Sequence, residues 1–293
     1  MAIIPGEETM QTILACVDGS IYGKSVTDHA AWAATRLSAP VEVVHAIGRR
    51  EAGGGAFDMS GNLDLDERSI LMSELSELDE KRAKIAMKRG RVVVDEAVAR
   101  LKAAGVAEVS GKLRHGDIAD TIADLAEETR LVVVGKRGEA ADFAKGHLGS
   151  NLERVARSAK RPLLIASRAF RPIGKFLVAF DGGKSSAQIV ERLFASPLLK
   201  DVPCQLFMVG EPSGDAGQRL HEAEKRLRTA GYAVSVHIEE GDAEELIARK
   251  VERDAIDLVV MGAYGHSRIR TFIVGSTTTE IIRRCAVPAL IIR

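Results

Sequence analysis

The chain has 293 residues, 41 basic and 41 acidic, with 46% hydrophobic and 4% aromatic content. This is the make-up of an ordinary globular protein. It lacks the basic surplus of a nucleic-acid binder that works by phosphate neutralisation, and it lacks the run of about 18 apolar residues that a membrane helix needs.

In chain order, the apolar run at 13–17 predicts a first strand that leads into Asp18-Gly19-Ser20. Residues 25–37 carry helical apolar spacing around Val26, Ala30, Trp32 and Ala33, and 41–45 reads as a second strand. Residues 51–62, rich in glycine and small side chains, read as a mobile loop. Beyond it Leu71, Leu75, Leu78 and Ile85 recur at helical spacing among Glu, Lys and Arg, which predicts a long amphipathic helix. Its simplest role is to cover the domain or pack on the second half of the chain; a partner-binding arm is the alternative. A third strand at 109–113, a helix at 118–127, a fourth strand at 131–134, a helix from Ser150 and a fifth strand at 162–166 complete the first half.

The second half repeats the first. Asp18-Gly19-Ser20 is echoed by Asp181-Gly182-Gly183, Arg100-Leu-Lys-Ala-Ala-Gly105 by Arg226-Leu-Arg-Thr-Ala-Gly231, and His115-Gly116-Asp117 by Glu240-Gly241-Asp242. Gly135-Lys136-Arg137-Gly138 with Gly149-Ser150 is echoed by Gly262-Ala263-Tyr264-Gly265 with Gly275-Ser276. Each closing strand begins at a proline, Pro162 or Pro288, twelve residues after its Gly-Ser. Between its second and third strands, copy one carries about 37 residues more than copy two. The expected division is 1–170, with a helical insertion at about 51–90, and 171–293. Alternation of short apolar strands with helices predicts an α/β fold: two tandem, doubly wound domains, each on a five-stranded parallel sheet and Rossmann-like.

Chemistry is expected where the strands' carboxyl ends open a crevice. Strand one of copy two ends at Asp181 and strand four at Gly262, neighbours across the switch point in the favoured strand order. Glycines let backbone N–H groups approach an anion, and a helix opening at Ser276 adds a hydroxyl and a positive dipole end. Asp181 would repel phosphates but can accept from an exocyclic amine or a ribose hydroxyl, which points to a nucleotide.

These residues resemble the universal stress proteins in a tandem two-domain form. The pattern Gly-x2-Gly-x9-Gly-Ser/Thr of the nucleotide-binding members matches Gly262, Gly265, Gly275 and Ser276, with nine residues between the second and third glycines. The resemblance implies a fold of the adenine nucleotide alpha hydrolase type and a bound ATP or AMP, with Mg2+ as an optional accompanying ion. It assigns Asp181 to the adenosine moiety, Gly262 and Gly265 to ribose and phosphates, and Gly275, Ser276 and Thr278 to phosphate. It also implies an intrachain pseudo-dimer through the last strands, 163–166 beside 289–292, and allows a further homodimer.

Copy one departs from the pattern. Ten residues separate Gly138 from Gly149, and Asn151-Leu152 stands where copy two has Thr277-Thr278. Asp18, Gly135, Gly138, Gly149 and Ser150 are therefore the weaker nucleotide-binding candidates. Lys136 and Arg137 read as solvated loop residues, with a compensating phosphate contact as the alternative.

Competing motifs fall short. Gly19-Ser-Ile-Tyr-Gly23-Lys24-Ser25 has three residues between its glycines where a P-loop needs four; it reads as a turn and a helix start. His115, His237 and His266 have no nucleophile at a recognisable spacing, and only His266, just past Gly265, stands within reach of a phosphate. No catalytic residues are assigned and no metal spacing is present. Cys16, Cys204 and Cys285 are odd in number and scattered, which predicts free thiols in a reducing compartment; with no apolar leader in the sequence, the cytoplasm is the expected location. The expectation is a regulatory ATP- or AMP-binding protein of the stress response, acting on an unidentified protein partner, with turnover slow or absent. The alternatives are a nucleotide-free scaffold working through partners and a slow ATP hydrolase.

Overall fold

The computed structural model describes residues 11–48, 65–138, 150–211, 214–263 and 276–292, with backbone alone at 65–68, 150 and 276. The loop expected at 51–62 lies outside these residues, as do Gly149, Gly265, His266 and Gly275.

Copy one runs β1 (Thr12–Cys16), α1 (Gly23–Leu37), β2 (Val41–Ile47), α2 (Leu65–Ala103), β3 (Val109–His115), α3 (Ile118–Asp124), β4 (Thr129–Gly135), α4 (Ser150–Ser158) and β5 (Leu163–Ala166). Copy two runs β6 (Phe176–Phe180), α5 (Lys184–Ala195), a 3-10 turn (Pro197–Leu199), β7 (Cys204–Val209), α6 (Asp215–Thr229), β8 (Val234–Glu239), α7 (Ala243–Arg253), β9 (Leu258–Gly262), α8 (Ser276–Arg284) and β10 (Ala289–Ile292).

All ten strands form one sheet in the order β3-β2-β1-β4-β5-β10-β9-β6-β7-β8. Within each copy the pairing is parallel. The copies meet where β5 and β10 pair antiparallel, Leu164 opposite Leu290. Each of these strands would otherwise expose an unpaired apolar edge, and the seam covers both edges at once. Strand residues alternate between two apolar layers. One collects the inward faces of α1, α2, α5 and α6, and the other those of α3, α4, α7 and α8.

Many of the repeated sequence echoes are structural. Asp117 and Asp242 cap α3 and α7, accepting from Ala119 N at 2.8 Å and Glu245 N at 2.9 Å. Gly105 and Gly231 end α2 and α6 at φ of +86° and +92°, where Val106 N and Tyr232 N return to the carbonyls of Leu101 and Leu227. The preceding arginines tie each helix to its neighbour, Arg100 to Asp28 and Arg226 to Glu191. The copies share a constant offset of 163 residues from β1 to β2, and Asp28 and Glu191 are equivalent under it.

The helix expected from the insertion is α2, 39 residues long against 15 in α6. Its packing differs from the simplest expectation. Gly90, Val94, Ala97 and Leu101 form the buried face, whereas Leu71, Leu78 and Ile85 are exposed. The apolar spacing foretold the helix correctly but not the surface it covers, because periodicity sets a stripe and not its neighbour.

Cys16, Cys204 and Cys285 are free and buried. Burial pushes the Cys16 and Cys204 thiols up to about 12 and that of Cys285 up to about 11. The nucleophile is the thiolate, so native protein at about pH 8 is expected to react negligibly with a thiol reagent and to release all three thiols on unfolding. Rapid native labelling of any of them contradicts this packing.

Candidate functional site

The carboxyl ends of β6, β7 and β9 open a cleft of about 140 Å³ between the starts of α5, α7 and α8. It lies at the switch point, since β6 separates β9 on one side from β7 on the other. Phe207, Ile247 and Met261 supply apolar wall, while Asp181, Ser185 and Thr277 bring polar groups to the rim. Asp181 is the one titratable side chain among the described lining residues.

The Asp181 carboxylate is held in place. Its Oδ1 accepts from Gly183 N at 2.8 Å and from the Ser186 hydroxyl at 2.6 Å, and Ser186 Oγ in turn accepts from Asp181 N at 3.0 Å. These bonds fix the turn between β6 and α5, so the group presented to the cleft does not have to be ordered at the moment of binding. Gly262 ends β9 at the opposite wall. Ser276 opens α8, whose first N–H groups lack intrahelical partners.

Thr278, assigned to phosphate by the resemblance, also lines the cleft. It is buried, and its hydroxyl donates to Gly262 O at 3.3 Å, so it clamps α8 to the end of β9. Thr277, one residue earlier, is exposed and lines the cleft. A helix turns about 100° per residue, so the two threonines line the cleft from different faces of α8.

Copy one brings Asp18, Gly135 and Gly138 together but packs them closely. Ser20 N donates to Asp18 Oδ1 at 3.1 Å. A Cβ on Gly138 would stand 2.9 Å from Asp18 Oδ2, and one on Gly135 would stand 2.8 Å from Tyr22 Cβ. Under the constant offset, Tyr22 takes the position of Ser185 in copy two; it is 9% exposed and lies against the end of β4. Ser150 opens α4. Leu152, in place of Thr278, is buried in the apolar layer.

Lys136 is not a solvated loop residue. Its ammonium crosses the seam and donates to Cys285 O at 2.5 Å, at the carboxyl end of α8. Burial holds its pKa down at about 8. His115 is exposed at the end of β3, and His237 lies in β8, so both occupy the sheet's outer strands, away from the cleft.

Ser185, Phe207, Ile247 and Thr277 had not been singled out as cleft residues. Phe207 comes from mid-sheet and Ile247 from a helix interior, where each reads as ordinary core; only the fold shows that both reach the same opening.

Two doubly wound copies joined edge to edge, with a cleft at the switch point of the second, define a tandem α/β protein. The model of the universal stress protein family matches residues 9–167 and again 172–293, and the chain belongs to that family. It is 37% identical to a universal stress protein of Synechocystis sp., over 97% of this chain and 100% of that one. It is 25% identical to a universal stress protein of Mycobacterium tuberculosis, over 64% of this chain and 59% of that one. A universal stress protein of Archaeoglobus fulgidus has the same fold, with a TM-score of 0.66 at 24% identity over 97% of this chain and 98% of that one. No helix among the described residues is long and apolar enough to cross a membrane.

Proposed function

We propose that this chain is a cytoplasmic regulatory protein of the stress response that binds ATP or AMP in the copy-two cleft, with Mg2+ an optional companion of the phosphate chain. The observation that carries the reading is the pairing of a pre-oriented Asp181 with an apolar wall of Phe207, Ile247 and Met261 and the amino end of α8. The wall suits a planar base, the carboxylate suits its amine or a ribose hydroxyl, and the helix end suits phosphate. Gly265, Gly275 and Ser276 complete the phosphate side, with the Thr278 and Thr277 hydroxyls beside them. Turnover is slow or absent in this reading, and Asp181 is the one ionisable side chain among the described lining residues. Tyr22 makes copy one the weaker site.

The test is mass spectrometry of ligand released from denatured protein, with calorimetric titration of the full chain by ATP and by AMP. Asp181→Ala is expected to weaken binding about tenfold to a hundredfold, while Asp181→Asn, which can still accept from Ser186, keeps the fold. Failure to recover an adenine ligand, together with no thermal shift on adding ATP, would sink the proposal.

A further inference from the structure

Copy one carries a surface that the cleft does not use. Of ten exposed large hydrophobic side chains among the described residues, seven lie on α2: Ile70, Leu71, Met72, Leu78, Ile85, Met87 and Val92. Ile85 is 65% exposed and Val92 56%, values foreign to a helix packed on its own sheet.

The helix spans about 58 Å at 1.5 Å per residue, but only its second half is docked. Gly90 lies against His45 and Leu113 near the ends of β2 and β3, and Val94 and Val98 lie against Gly111 further back. The helix therefore runs antiparallel to these strands, and its first half extends past their carboxyl ends. No described residue from 69 to 89 is buried.

Two features of this arm say what fits it. Leu71, Leu75, Leu78, Arg82, Ile85, Arg89 and Val92 follow one another at alternating steps of four and three, the spacing of a coiled-coil seam. At about 100° per residue, this row stands roughly 120° around the helix from the docked row of Gly90, Val94, Ala97 and Leu101, so docking leaves it uncovered. Charge divides along the same arm. Residues 70–80 hold Glu74, Glu77, Asp79 and Glu80 with no basic residue, and 81–91 hold Lys81, Arg82, Lys84, Lys88, Arg89 and Arg91 with no acidic one.

We propose that the α2 arm pairs antiparallel with the α2 arm of a second copy of this chain, forming a homodimer about a two-fold axis near residue 80. Antiparallel alignment lays each acidic half on the other copy's basic half, whereas parallel alignment opposes like charges. The same alignment sets Leu75 of one arm against Ile85 of the other and places Glu74 beside Lys88. The aliphatic stems of Arg82 and Arg89 cover the remaining seam while their heads reach outward. An arrangement in which each contact occurs twice is an isologous, closed interface. Two pairs within the arm, Lys84 with Glu80 and Arg82 with Asp79, are exposed and weak, so they do not compete strongly with the pairing.

The test is the mass of the full chain by sedimentation, with helicity followed by circular dichroism. Wild type at about 50 µM is expected to be a dimer, and Leu78→Lys with Ile85→Lys to raise its dissociation constant about 100-fold with helicity intact. A mostly basic arm (E74K/E77K/E80K) and a mostly acidic one (K81E/K84E/K88E/R91E) should each be monomeric alone and form a heterodimer when mixed. A monomeric wild type, a dimer that survives these substitutions, or charge variants that fail to pair on mixing overturns the proposal. None of these outcomes depends on nucleotide binding.

Discussion

Ser185→Tyr is expected to weaken ATP binding by about a hundredfold or more, a loss of about 2.7 kcal/mol. The reason is already present in the other copy. Tyr22 holds the equivalent position there, 9% exposed, its Cβ 2.8 Å from where a Cβ on Gly135 would stand. Gly262 is the counterpart of Gly135 at the wall of the open cleft, and a phenol ring introduced beside it would take up much of about 140 Å³. A serine-to-tyrosine change at the mouth of a cleft adds bulk without crowding a closed core, so the melting temperature should move little. Calorimetric titration of the full-length variant decides the matter: unchanged ATP affinity would mean that the nucleotide does not lie between Ser185 and Gly262. Tyr22→Ser is the complementary change, expected to loosen the packing over Gly135.

Asp254→Ala is expected to cost about 3–5 kcal/mol of stability, the range for stranding a buried charge. Lys250 is 1% exposed. Its ammonium lies 2.9 Å from Asp254 Oδ2, 3.7 Å from Glu239 Oε1 and 5.0 Å from the centre of the Phe207 ring, and it makes no well-aligned hydrogen bond of its own. Charge attraction is therefore its main compensation, and Asp254 is the nearest source. By contrast, Lys250→Leu should be close to neutral, since it removes the buried charge itself and leaves Asp254 with Arg253 and Gln205 as partners.

Acid should expose the same dependence. The Lys250 ammonium, first, and then Arg253 and Gln205 hold the Asp254 carboxyl well below the usual carboxylate range against the opposing effect of burial. A depressed carboxyl stabilises the fold at pH values above its unfolded value of 3.8, and that stabilisation is lost as pH falls from there. Urea midpoints measured between about pH 3 and 7 should fall more steeply for wild type than for Lys250→Leu. Equal slopes, or an Asp254→Ala variant within about 1 kcal/mol of wild type, would show that the pair is not coupled in this way.

Phe207 connects this pair to the cleft. One face of its ring takes the Lys250 ammonium, and the residue also lines the proposed base-binding wall. Neither contact has a sequence signal. Phe207 sits in an apolar strand, Lys250 on a helix with charges on both sides, and the two are 43 residues apart. The register of β7 and the docking of α7 bring them together.

The parts of this protein that were legible in its residues are those set by local chemistry. Strand and helix periods and the order of the echoes act within a few residues, so one chain read alone reveals a duplicated α/β domain, and the echoed Asp117, Asp242, Gly105 and Gly231 prove to be helix caps and ends. The pairing of β5 with β10 was legible through the family resemblance, and the register of Leu164 with Leu290 carries it. What the residues left open was direction. The apolar row on α2 faces away from the sheet, Lys136 reaches across the seam to α8, and Thr278 turns inward while Thr277 turns out.

By itself, then, the sequence determined the fold, its duplication and the chemical types gathered at the end of each sheet. The tertiary structure alone placed Ser185 on the lining of an open cleft in copy two and Tyr22 against the end of β4 in copy one, because these relations exist only after β6 and β9, or β1 and β4, lie side by side. Periodicity and turn chemistry depend on neighbours in the chain, whereas a cavity depends on volumes brought together from strands about 80 residues or more apart.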